Sequence, residues 1–169
     1  MNAMTEHNTL TPNELQFVDA VMSEIERKTK HNKKSIEKLA QNYKLTNPNQ
    51  IKELTELAIV KSARQSVARN SDDRTAYDEI VELYKNQVNL SQRTSHSMLL
   101  QQYSTPAPIA FLAGLFIRKQ GGDYFEPSAG NGLLTIALPY PQTTVNEIDD
   151  IRLQNLNNQP FAEILSQNA

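Results

Sequence analysis

The segment Glu126-Pro127-Ser128-Ala129-Gly130-Asn131-Gly132 sets an acidic residue and a proline in front of a turn built from small side chains and two glycines. Glycine tolerates unusual φ and lets another molecule approach the backbone closely. If a helix begins after Gly132, its first N–H groups lack intrahelical partners and favour a carboxylate or polar tail. Glu147 stands about 20 residues beyond the turn. In doubly wound folds an acidic side chain at that separation, ending the second strand, accepts hydrogen bonds from ribose hydroxyls. The chemistry these residues suit is the holding of a nucleoside-containing ligand, although a Gly-x-Gly turn with a distant glutamate is by itself a weak signature.

Such a site needs a strand, a turn, a helix and a second parallel strand. The residue pattern predicts a helix over 108–119, a short buried strand over 123–126, a turn over 127–132, a helix over 133–138 and a second strand over 143–147. A helix over 149–156 and a third strand over 161–165 follow. The first part of the chain reads differently. Thr11-Pro12-Asn13-Glu14 has the form of a helix start, followed by Leu15, Val18, Met22 and Ile25 at helical spacing, which predicts a helix to about residue 30. Further helices are predicted over 33–43, from Asn47-Pro48 onward, and from Ser71-Asp72-Asp73 to about Val88. Six of the eight prolines and all five glycines fall after Leu100, so a boundary is expected near 91–102. The fold class expected is an α-helical N-terminal domain, residues 1–95, joined to an incomplete α/β Rossmann-like domain, residues 96–169, with only its first two or three parallel strands.

Three segments in this order resemble motifs of the S-adenosylmethionine-dependent adenine-N6 DNA methyltransferases. Residues 126–132 resemble the first cofactor motif of that family. Gln102-Tyr103-Ser104-Thr105-Pro106-Ala107-Pro108-Ile109 resembles the extra motif that precedes the first strand, and Asn146-Glu147-Ile148-Asp149 resembles the second motif. The likeness covers residues 98–169 and is greatest to large bacterial and phage methylases of restriction-modification type, a group that includes methylase-helicase fusions. It implies S-adenosylmethionine as cofactor. Tyr103, Thr105 and Pro106 would lie at its methionine end, with Thr105 on the carboxylate and Glu126 near the amino group. Pro127, Ser128, Gly130 and Gly132 would form the backbone cradle. Glu147 would hold the ribose, Ile148 would pack on the adenine ring, and Asn168 would stand where the family has an aspartate for the adenine amino group. The family's aromatic residue after the glycine turn is replaced by Leu133-Leu134.

The family's catalytic Asn-Pro-Pro-aromatic segment, which binds the amino group of a flipped adenine, does not occur. The only Asn-Pro is Asn47-Pro48-Asn49-Gln50, explained by a helix start. The resemblance therefore implies the cofactor-binding front of a methyltransferase, inactive by itself, with DNA met through a longer protein. In the family's sheet the first strand would then carry an unpaired edge, and self-association through it or marginal stability is expected.

Composition bounds these readings. With 169 residues, a net charge of −2 and ordinary hydrophobic content, the chain is neither disordered nor a strongly basic nucleic-acid binder. The absence of cysteine excludes disulfides and thiolate metal sites. No apolar run is long enough to span a bilayer, which makes the cytoplasm the default expectation. His7, His31 and His96 lack metal-ligand spacing, and the basic run over 27–34 reads as a solvated helix end. Two other classes compete: a non-catalytic DNA- or protein-binding adaptor with a degenerate cofactor fold, and a dinucleotide-dependent redox protein. The second is disfavoured because the turn lacks a Gly-x-Gly-x-x-Gly pattern.

Overall fold

The structure is a computed structural model that describes residues 9–87 and 104–168. These form six α-helices and one three-stranded parallel sheet. Four helices come first: α1 (Pro12–Glu26), α2 (Lys33–Gln41), α3 (Pro48–Arg69) and α4 (Asp73–Asn86). Each begins where a polar side chain satisfies an orphan N–H. Thr11 and Glu14 bond reciprocally at α1, Asn32 and Ser35 do so at α2, Asn47 caps α3 ahead of Pro48, and Asp72 caps α4. The first helix stops earlier than its spacing predicts. Lys28 takes a left-handed φ of 57°, and the N–H groups of Lys28 and Thr29 turn back onto Ile25 and Glu24. Lys44, with φ of 60°, follows the end of α2 in the same way. The basic run between them is largely exposed, with Arg27 paired to Glu24 and Lys33 to Glu37.

The second part contains α5 (Ala107–Arg118), β1 (Tyr124–Glu126), β2 (Thr143–Asn146), α6 (Asp150–Asn157) and β3 (Glu163–Leu165). The strands lie in the order β1-β2-β3, all parallel, with Phe125 opposite Thr144 and Val145 opposite Ile164. Strand and helix positions agree with the pattern-based reading to within a few residues.

The exception is the segment predicted as a helix over 133–138. It forms only one 3-10 turn, Leu133–Thr135, and a second, Tyr140–Gln142, follows it. Pro139 and Pro141 cannot donate the N–H groups that would prolong a helix. The carbonyls a helix would have used are taken instead by Arg64 of α3, which donates to Thr135 O at 2.8 Å and Leu138 O at 3.1 Å. Its guanidinium lies 3.6 Å from the centre of the Tyr140 ring. Burial pulls the Arg64 pKa down to about 10.

The largest helix, α3, runs through the core. Ile51, Leu54, Leu57 and Ala58 pack with Phe17, Val18 and Val21 of α1 and Ile36 of α2. One turn further along, Ile59, Val60 and Ala63 join Ala76 and Ile80 of α4, Phe111 of α5, and Ile136 and Ala137 of the connector. Helical and sheet-bearing segments thus share one cluster of buried side chains. A third, smaller cluster of Ala129, Val145 and Leu156 seals the sheet. Among the described residues no helix is long and apolar enough to cross a membrane.

Candidate functional site

The turn after β1 is held from both sides. Glu126 Oε1 accepts from Ser128 N at 3.1 Å, Ala129 N donates to Asn146 O of β2 at 2.9 Å, and Gly132 N closes onto Ala129 O at 2.8 Å. Gly130 and Gly132 take φ of 57° and 93°, conformations that strain other residues. Glu147 follows the end of β2 and is buried. Its Oε2 accepts from Gly130 N at 2.8 Å, while Oε1 accepts from Ile148 N at 2.8 Å and Asp149 N at 2.9 Å. The structure therefore joins the glycine turn directly to the acidic residue. A carboxylate has about four acceptor positions, so Glu147 retains capacity for a further donor.

The glycines differ in what surrounds them. A Cβ on Gly132 would stand 3.3 Å from Phe161 Cζ and 3.5 Å from Gln159 Oε1, so the Phe161 ring would have to shift slightly, on top of the strain of the left-handed φ. A Cβ on Gly130 would meet only Arg152 Nη1, at 3.9 Å. The expected helix N-terminus is not formed: the segment after Gly132 is a single 3-10 turn in which Thr135 N already bonds Gly132 O. The turn thus offers Gly130 and Glu147 rather than a row of free helical N–H groups.

Asn131, between the glycines, turns its side chain into a buried polar cluster that sequence reasoning missed. Its Nδ2 donates to Glu53 Oε2 at 2.7 Å and Glu56 Oε2 at 3.2 Å, both on α3, and its Oδ1 accepts from Asn155 Nδ2 of α6 at 2.8 Å. Arg152 Nε donates to Glu53 Oε2 at 2.9 Å. Lys52 Nζ lies 3.1 Å from Glu53 Oε1 and 3.7 Å from Glu56 Oε1. Gln159 Nε2 completes the hold on the turn by donating to Asn131 O at 3.0 Å. Burial, reinforced by neighbouring Glu53, raises the Glu56 pKa. Burial opposes the charge of Arg152, but Glu53, Glu56 and Glu147 together outweigh it and the net shift is upward. The available signal was Glu53 itself, a glutamate set between Ile51 and Leu54, both apolar, on α3.

Of the segment before α5, Tyr103 lies outside the described residues. Thr105 and Pro106 are half-buried, and Pro106 O accepts the first N–H groups of α5, from Ile109 and Ala110. Adjacent Ser104 donates its hydroxyl to Glu56 Oε2 at 2.8 Å. One carboxylate oxygen thus receives bonds from both the pre-α5 segment and the glycine turn. Pro127 and Ser128 are exposed, and Pro127 O accepts from Asn146 Nδ2 at 3.0 Å. Ile148 is 50% exposed beside Glu147, an unusual place for its side chain. Asn168 is exposed, and its neighbour Gln167 is tied through N–H and carbonyl to the Asn146 side chain. His31 bonds Ser35 and Glu24, whereas His7 and His96 lie outside the described residues. Among the described residues no group of three His, Cys, Asp or Glu side chains is arranged to hold a metal.

No family model, curated protein or solved structure matches the chain.

Proposed function

We propose that the chain is the S-adenosylmethionine-binding part of an adenine-N6 DNA methyltransferase, with its sheet serving as the start of a Rossmann-like domain. The observation that supports this most is the 2.8 Å bond between Gly130 N and Glu147 Oε2, which unites the turn and the acid at the ends of adjacent parallel strands. Ligands of doubly wound sheets bind at such strand ends. Glu147 would receive one ribose hydroxyl through its remaining acceptor position, exposed Ile148 would cover the adenine face, and Thr105 would lie at the methionine end. The open side of Gly130 leaves room for the ligand, whereas the filled side of Gly132 does not. The cofactor supplies a methyl group on a sulfonium; this chain's residues bind and orient it. No residue here is assigned the chemistry on adenine, and DNA would be met through the full-length protein.

Isothermal titration with S-adenosylmethionine tests the reading. Binding is expected for the unaltered chain, and Glu147→Ala is expected to weaken it by about 100-fold or more, since it removes a charged acceptor and frees three backbone N–H groups. No binding, together with salt-sensitive affinity for DNA, would instead favour the adaptor reading, on which the inward bonds of Glu147 are purely structural.

We also propose that the chain self-associates through β1. β1 is an edge strand, Phe125 on it is 60% exposed, and Phe116 of α5 is 71% exposed. An open apolar strand edge templates pairing with a second copy. Light scattering coupled to size exclusion is expected to report a dimer that Phe125→Lys converts to monomer; a monomeric unaltered chain at high concentration would contradict this.

A further inference from the structure

The polar cluster beneath the glycine turn is short of positive charge and of donors. Glu53, Glu56 and Glu147 bring three carboxylates, and among the described residues Lys52 and Arg152 stand against them. Asn155 is fully buried in the same cluster, with its Nδ2 spent on Asn131 Oδ1 and Glu53 O, and its Oδ1 has no hydrogen-bond partner. Arg152 is committed to Glu53. Glu56 is less compensated than Glu53: Lys52 lies 3.7 Å from it but 3.1 Å from Glu53, and Arg152 bonds Glu53, whereas Glu147 is already held by three backbone N–H groups. Its side chain is also 15% exposed, against 8% for Glu53, and exposed Ser104 reaches it from the solvent side. An ammonium group would bring one positive charge and three donors to this rim.

We propose that Glu56, with Ser104 beside it, accepts the α-ammonium of an amino-acid-bearing nucleoside ligand held at the Gly130 turn. The inference rests on the reading of Gly130 and Glu147 as a nucleoside site, and it gives the recognition of the amino-acid end to the helical part of the chain. Glu126 then serves the turn, where it already bonds Ser128 N. The cost of burying the Glu56 carboxylate beside Glu53 is relieved when the cation arrives.

Three probes separate the possibilities in calorimetric titrations: S-adenosylhomocysteine, its analogue lacking the α-amino group, and 5′-methylthioadenosine, which lacks the whole amino-acid portion. The unaltered chain is expected to prefer S-adenosylhomocysteine over the deamino analogue by about tenfold or more. Glu56→Gln should abolish that preference while leaving 5′-methylthioadenosine affinity unchanged, and Glu126→Gln should retain it. Ser104→Ala, a change at an exposed position, should reduce S-adenosylhomocysteine affinity about threefold without touching 5′-methylthioadenosine, and it reports even if Glu56→Gln fails to fold. The proposal is overturned if Ser104→Ala and Glu56→Gln leave the preference intact, or if they weaken all three probes alike. If the unaltered chain binds 5′-methylthioadenosine but ignores the amino group, the nucleoside site stands and the role of Glu56 is lost. If it binds none of the probes, the nucleoside site itself is wrong and the proposal falls with it.

Discussion

Arg152→Ala is expected to destabilise the protein by about 3–5 kcal/mol, among the largest effects any single change should have. Arg152 is 6% exposed, and its guanidinium forks onto Glu53 through Nε at 2.9 Å and Nη2 at 3.4 Å. Removing it leaves Lys52 as the one cation paired with buried Glu53 among the described residues and leaves neighbouring Glu56 with less compensation. A buried carboxylate that loses its partner forfeits the Coulomb energy but still lacks water, so the desolvation cost stands uncancelled. Urea unfolding followed by circular dichroism measures the loss directly from the transition midpoint. Arg152→Lys should recover only part of it, because an ammonium cannot reproduce the two-pronged contact. The paired change Arg152→Met with Glu53→Leu should be far less damaging than Arg152→Ala, since it removes both charges together. If Arg152→Ala costs under about 1 kcal/mol, the pair behaves as a surface ion pair and the cluster does not hold the glycine turn against α3.

Much of the architecture was readable because it is written in local chemistry. Thr11, Asn47 and Asp72 start helices by satisfying backbone donors that lie two or three residues away, and such signals need no knowledge of the rest of the chain. The strands around the glycine turn were readable for the same reason. Two features were not. Residues 133–138 have the composition of a helix, yet Arg64, about 70 residues earlier, takes the carbonyls a helix would need. Tertiary contact overrides propensity there. The Glu53 cluster is the converse case. Lys52 and Glu56 are spaced as an i,i+4 pair, which reads as a solvated helix face, and only the docking of α6 and Asn131 onto α3 buries them. The bonds from Asn131, Arg152 and Asn155 onto α3 span 75 to 102 positions, beyond the reach of any periodicity.

Phe111→Ala should cost a comparable amount, about 3–5 kcal/mol, and the way that loss is distributed matters more than its size. Phe111 is fully buried, and its ring lies 6.4 Å from that of Tyr77, inclined by 28°. Around it are Ile59, Val60 and Ala63 of α3, Ala76 and Ile80 of α4, and Ile136 and Ala137 of the connector that leads to β2. A cavity at this point removes packing from the helical part and the sheet-bearing part at once. Phe17→Ala is the control: Phe17 is equally buried, but its cluster is drawn wholly from residues 10–58. Hydrogen exchange read by mass spectrometry separates the two outcomes. If the shared core makes one cooperative unit, Phe111→Ala lowers protection of α3, α4 and β2 by the same free energy, and the glycine turn loses its support from α3 together with the sheet. If exchange instead rises only from residue 104 onward while α1, α2 and α3 keep their protection, the two parts unfold independently. In that case the bonds from Glu53 and Glu56 to Asn131 would be a docking contact between separate units rather than the brace that sets the site.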